Sequence, residues 1–152
     1  MRRHCGQEST ASVATLWVSE DEREEADGTM DMKIELIILP VTDVDRAKAF
    51  YVDGVGFHAD FDQTVHENLR FVQLTPPGSA CSIAFGKGLT DKTPGSVGGL
   101  LMVVADADEA HRHLAQRGVA VTDVHDEAWG RFVEFSDPDG NQWSIQQPPK
   151  RP

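Results

Sequence analysis

Three blocks of this chain occur twice, in the same order and at nearly the same separation, so its fold must be assembled from two copies of one unit. Val41-Thr42-Asp43-Val44-Asp45-Arg46-Ala47 returns as Val104-Ala105-Asp106-Ala107-Asp108-Glu109-Ala110, an offset of 63 (41 to 104). Arg70-Phe71-Val72-Gln73-Leu74 returns as Arg131-Phe132-Val133-Glu134-Phe135, an offset of 61 (70 to 131). Gly78-Ser79-Ala80-Cys81-Ser82-Ile83 returns as Gly140-Asn141-Gln142-Trp143-Ser144-Ile145, an offset of 62 (78 to 140). A chance match would need each block to drift independently to the same spacing. The duplication predicts one domain over 32–148, made of a module over 32–86, a Gly-, Thr-, Pro- and Ser-rich linker over 87–98 and a second module over 99–148, with 149–152 as a tail.

Each half has the same pattern of elements. An apolar, β-branched run from Lys33 to Leu39 predicts a first strand that Pro40 helps to end. Asp43 is placed to cap a helix with Val44, Ala47, Phe50 and Tyr51 on one face, stopped by Gly54 and Gly56. Strands follow near 57–62, 69–75 and 80–85, with Pro76-Pro77-Gly78 turning the chain between the last two. The second half repeats this with a strand over 100–104 and a helix over 107–117, capped by Asp106 with Glu109 at capping-box spacing. Its remaining strands fall near 119–124, 131–136 and 142–147. The order βαβββ, twice, can close within one chain or between two chains, and the pattern does not choose.

Composition removes several classes of function. A formal net charge of −11 disfavours phosphate-backbone binding and anionic membrane surfaces, so neither a nucleic acid nor a membrane is an expected partner. No apolar run approaches the ~20 residues that span a bilayer. With only Cys5 and Cys81 there is no disulfide framework, which points to a reducing, cytoplasmic setting. Residues 1–31 show no lasting period and include an acid run from Glu20 to Asp27 broken by Arg23, the signature of a solvated, disordered leader. Within it, Leu16, Trp17 and Val18 are the residues that would dock on a partner or cover a cavity.

The stretch Val41 to Tyr51 followed by Gly56-Phe57, and Phe135 to Asn141 followed by Trp143, resemble the two best-known signatures of the glyoxalase/bleomycin-resistance (vicinal oxygen chelate) superfamily. The resemblance covers Met32 to about Gln147. It implies an α+β fold in which two βαβββ modules form a curved, partly open barrel-like sheet, commonly as a homodimer, with a metal and a small substrate on the concave face. The family spans glyoxalases, epimerases, extradiol dioxygenases, thiol transferases that inactivate fosfomycin, and metal-free antibiotic-binding proteins, so fold alone does not select an activity.

The metal positions implied by the resemblance lie on the first and fourth strands of each half, and here they fall on Leu36, Gly99, Ser82 and Ser144. Leu and Gly offer no lone pair and neutral Ser is a weak ligand, so no cofactor is expected. A divalent ion returns only through a one-residue slip that brings up Glu35, or through histidines meeting in space, and the slip would turn the cup outward. Carried through the repeat, the expected ligand cup comprises Leu36, Arg70, Gln73, Ser82, Ala84, Gly99, Trp129, Arg131, Glu134, Ser144 and Gln146. Such a lining suits a small, largely apolar organic ligand, aromatic or antibiotic-like, with a few polar anchors. Arg70 and Arg131 would hold an anionic group or pair with nearby acids, and Trp129 would stack on a ligand or cover the sheet edge. Glu134 is the candidate catalytic acid/base, because a carboxylate desolvated inside a cup is poised to abstract a proton next to a carbonyl. The functional expectation is a metal-independent small-molecule binder. The alternative is a lyase, isomerase or dioxygenase-like enzyme that uses Glu134 or a displaced metal. His111 and His113, two apart on a helix, diverge and read as surface residues, while His58, His66 and His125 read as strand-edge residues.

Overall fold

The structure, a computed structural model, describes residues 28–151. The acidic leader expected over 1–31, including Leu16, Trp17 and Val18, therefore lies almost wholly outside the described residues. Residues 29–35 carry no helix or strand, and the architecture below concerns the compact unit that begins at Glu35.

Two four-stranded mixed sheets make up this unit, one from each half, as the repeat demands. The first contains β1 (Leu36–Ile38), β2 (His58–His66), β3 (Leu69–Thr75) and β4 (Ser82–Lys87) in the order β1-β4-β3-β2. The second contains β5 (Leu100–Val103), β6 (His125–Glu127), β7 (Gly130–Ser136) and β8 (Gln142–Gln147) in the order β5-β8-β7-β6. In both, the first strand runs parallel to the fourth and the others are antiparallel. A parallel pair requires a crossover, supplied by α1 (Val44–Ala49) in one half and α2 (Ala107–Gln116) in the other. The caps fall where expected: the Asp43 carboxylate accepts from the Arg46 N–H, and that of Asp106 from the N–H groups of Asp108 and Glu109.

Several elements depart from the sequence reading: β2 runs four residues past the expected 57–62 and β4 lies two residues beyond 80–85, and three further departures have a local cause. β1 starts at Leu36 rather than Lys33, because its partner strand ends at Ser82, whose N–H donates to the Glu35 carbonyl; upstream there is nothing left to pair with. The first helix widens after Ala49 into a π-helical turn over Phe50–Val55 that ends on Gly56 at φ 102°. The strand expected over 119–124 is reduced to a bridge between Val121 and Phe135, because the Thr122 hydroxyl takes the Glu134 N–H and displaces the ladder bond; pairing resumes only at His125.

Strand alternation gives each sheet a helix-covered face and a second, open face. Val72, Leu74, Ile83 and Phe85 in the first half, and Val133, Phe135, Trp143 and Ile145 in the second, are buried on the covered side and share one core. Tyr51 joins the halves: its ring stacks on Phe57 at 5.5 Å and meets Trp143 edge-on at 6.0 Å. Its hydroxyl donates to Asp137 Oδ2 at 2.9 Å and accepts from Trp143 Nε1 at 2.9 Å. Asp137 Oδ1 gathers the N–H groups of Asp139, Gly140 and Asn141. Asn141 donates to the Pro40 carbonyl at 3.0 Å and accepts from the Val97 N–H, so the Asp137–Asn141 turn of the second half grips both the first half and the linker. Burial, followed by the charge of Asp137, pushes the Tyr51 hydroxyl far above its ordinary pKa, which keeps it a neutral donor.

Candidate functional site

Strand register decides which predicted residues share a face. In the first sheet Leu36 pairs with Ser82, and Gln73 with Ala84. In the second Leu101 pairs with Ser144, Glu134 also pairs with Ser144, and Phe132 pairs with Gln146. Gln73, Ser82 and Ala84 therefore lie on the open side of one sheet, and Glu134, Ser144 and Gln146 on that of the other.

Register also revises one repeat assignment. Because Ser82 and Ser144 are repeat mates, the counterpart of Leu36 is Leu101 rather than Gly99. Three residues, Pro40 to Thr42, separate β1-side Leu39 from the cap Asp43, whereas Ala105 alone separates Val104 from Asp106, so the helix offset of 63 does not extend back to the strand. The two-residue difference preserves the face, and Gly99 still borders the cleft described below.

Arg70 and Arg131 do not belong to the open faces, a correction to the expected cup. They alternate with the buried Val72 and Val133 and so project to the helix side. Arg70 forms a two-point contact with Asp62, at 3.0 Å and 2.9 Å, and a third with Asp45 at 2.9 Å. Arg131 reaches Asp108 at 2.7 Å and Asp126 at 2.8 Å. Hydrogen bonds from Arg70, then Lys48, hold the Asp62 carboxyl well below its usual range, and Arg131 lowers Asp108 likewise. Both guanidinium groups are therefore already matched by carboxylates.

A cleft of about 710 Å³ opens on the second sheet, bordered by Gly99, Thr122, Glu134, Ser136, Gln142 and Ser144 among others. Within it the Glu134 carboxylate accepts from the Thr122 hydroxyl at 3.0 Å and from His125 Nε2 at 2.9 Å. His125 Nδ1 lies 3.3 Å from a Glu127 oxygen. The Glu134 hydrogen bond is the main cause that raises the His125 pKa above its ordinary 6.5, with Glu127 adding to it. Periodicity puts His125 just outside a strand over 119–124 and gives no sign of this pairing; it arises because the β6–β7 hairpin sets His125 opposite Phe132. Trp129 stands exposed at that hairpin, edge-on to Phe132, and its carbonyl accepts from Gln146 Nε2 at 2.8 Å.

The first sheet carries a matching polar chain. Thr75 donates to Asp60, Thr75 Oγ1 and Ser82 Oγ are 2.6 Å apart, and Gln73 Nε2 lies 3.4 Å from Ser82 Oγ. Ser82 and Ala84 are buried in the sheet while Leu36 and Gln73 are half-buried. A separate recess of about 650 Å³ lies between the halves, bounded by the Pro76–Ser79 turn, β5 and α2, and contains none of the expected cup residues. His113, a surface residue as expected, closes one end of it by hydrogen bonding to the Val55 carbonyl at 2.8 Å and so also links the two halves.

The donor set does not fit a divalent ion at the positions the fold implies. Leu36 and Leu101 have no lone pairs, Ser82 is engaged with Thr75, and Glu35 is exposed on the opposite pleat from Leu36. Among the described residues no three His, Cys, Asp or Glu side chains converge as a metal site. Nor, among them, is any helix long and apolar enough to cross a membrane.

Comparison with known proteins agrees with the fold. The chain is 38% identical to TnmS3, an antibiotic binding protein from Streptomyces sp. CB03234, with a TM-score of 0.72 over 78% of this chain and 98% of that one. It is 38% identical to a glyoxalase/bleomycin resistance protein from Streptomyces sp. CB03234, at a TM-score of 0.67 over 76% and 100% of the two chains. A superfamily member from Sphaerobacter thermophilus DSM 20745 is 34% identical, with a TM-score of 0.68 over 76% and 97%. The family model described as Glyoxalase/Bleomycin resistance protein/Dioxygenase superfamily matches residues 33–145, and this chain belongs to that superfamily.

Proposed function

We propose that the protein binds a small, largely apolar organic molecule, aromatic or antibiotic-like, on the open sheet faces and without a metal ion. The observation that carries this reading is the side-chain chemistry at the register-matched positions Leu36, Ser82, Leu101 and Ser144, which pairs apolar surface with neutral hydroxyls where metal chelation would need imidazole or carboxylate. Similarity to an antibiotic binding protein at 38% identity supports the ligand class. The proposed lining is Leu36, Gln73 and Ser82 from one sheet and Gly99, Leu101, Trp129, Glu134, Ser144 and Gln146 from the other; Ala84, expected in the cup, is wholly buried and offers no surface to a ligand.

In this reading two copies pair to complete the cup. Leu101 is 52% and Val103 64% exposed on the edge strand β5, and Ile37 and Ile38 are part-exposed on the edge strand β1. Uncovered apolar edges of this kind favour association with a second chain. A cytoplasmic setting accords with the free thiol of Cys81.

Elemental analysis of protein purified without chelator, together with thermal-shift measurements against divalent ions and against a panel of aromatic metabolites and antibiotics, tests the proposal. Stabilisation by an organic ligand with substoichiometric metal is expected. Stoichiometric metal with ion-dependent stabilisation would reverse it. A second reading, Glu134 as general base of a lyase or isomerase, is favoured by its position in the cleft between Thr122 and His125; turnover that disappears in Glu134→Gln would support it.

A further inference from the structure

We propose that the site selects ligands that present a hydrogen-bond donor, a protonated amine or a phenolic hydroxyl, to the Glu134 carboxylate. This rests on the small-molecule reading above and specifies which chemistry the ligand brings.

The argument is one of hydrogen-bond polarity. A carboxylate only accepts, and among the described residues Glu134 is the only charged side chain bordering the cleft. Two donors hold its position: Thr122 donates to it at 3.0 Å while the Thr122 oxygen takes the Glu134 N–H at 2.9 Å, and His125 donates from the other side at 2.9 Å. Two or three of its roughly four lone-pair sites are so used, and the rest are left for the cleft. His125 sits between two carboxylates, Glu127 and Glu134, so even a protonated ring leaves the cluster with net negative charge.

Other committed groups on the open faces point the same way. Gln146 donates through Nε2 to the Trp129 carbonyl, which leaves Oε1 without a partner among the described residues. In the other half, the Thr75 proton goes to Asp60, so the proton shared by Thr75 and Ser82 belongs to Ser82; Ser82 donates inward, and Gln73 directs its N–H to the same hydroxyl. Gln73 Oε1 and a lone pair of Ser82 remain. Gln73 and Glu134 are repeat mates, so both halves present acceptors at corresponding places. Ser136, Gln142 and Ser144 are uncommitted and neutral, able to adapt to either polarity. An apolar ligand lacking a donor would cover the carboxylate and strip its water without replacing it, and an anionic ligand would add repulsion.

Four naphthalene probes of similar shape separate the alternatives: naphthylmethylammonium, naphthol, methoxynaphthalene and naphthoate, titrated into the ¹⁵N-labelled full chain with chelator present. The ammonium and naphthol should bind about tenfold or more tightly than the ether, with naphthoate weakest and the amide shifts centred on Thr122, Glu134 and Ser144. In Glu134→Gln, whose fold is checked by its amide spectrum, the spread should shrink to within about threefold, with naphthoate gaining most. Ether or naphthoate binding as tightly as the donors, or an unchanged spread in Glu134→Gln, would overturn this inference while leaving the small-molecule reading intact. Absence of any shift at the cleft with all four probes would remove both.

Discussion

Glu134 and His125 form a pair whose titration can be read directly. Since the folded state raises the His125 pKa above its ordinary 6.5, the stability this pair contributes is fully present below 6.5 and is lost as pH rises through the folded value. An NMR titration of the His125 ring should give a midpoint above 6.5, and Glu134→Gln should bring it down toward that value. The Asp62–Arg70 pair has the opposite sign: its contribution is present at neutral pH and disappears as acid protonates Asp62 through its lowered pKa. At the junction of the halves, Tyr51→Phe leaves an indole N–H without its partner and a buried carboxylate oxygen with one donor, Asn141, in place of two, and urea denaturation should show a loss of about 1–3 kcal/mol. The buried turn Asp137 to Asn141 was legible in sequence as a family signature and a strand connection. Its role in joining the halves was not, because the contacts run from Asn141 to Pro40 and from Asp137 to Tyr51, across more than half of the domain.

At the level of elements, the repeat was a sound guide to strand count and order and a poorer one to strand ends. Strands over 69–75 and 142–147 fall where alternation placed them, since both neighbours of each are regular strands. Val119 to Val124 failed because Thr122 satisfies a neighbouring backbone group with its side chain, a choice periodicity does not record. Arg70 and Arg131 fall outside the expected cup because they alternate with Val72 and Val133, which face the covered side. Helix α2 offers a simple test: Asp106→Ala removes the acceptor of two N–H groups and should cost about 1 kcal/mol in chemical denaturation. The linker offers another. Gly95 has φ +81°, and a Cβ there would lie 2.0 Å from the Asp139 carbonyl oxygen, so Gly95→Ala should destabilise by about 1–3 kcal/mol or more, seen as a lower melting temperature.

For the whole molecule, the two sheets share a core through their covered sides, and their other faces are the surfaces available for a ligand or a second chain. If copies pair through the exposed edges, light scattering should report two chains per particle, and Val103→Asp should yield monomers that keep their secondary structure. The fold class could be read from the duplication because it repeats at the scale of a supersecondary unit. The ligand could not, because its recognition depends on which hydroxyl protons are already engaged, a property of side-chain geometry. Calorimetric titration of chelator-treated protein with aromatic, antibiotic-like compounds, chelator kept in the cell, addresses the central claim most directly. Saturable heat under those conditions is the predicted result; heat that appears only after a divalent ion is restored would contradict it.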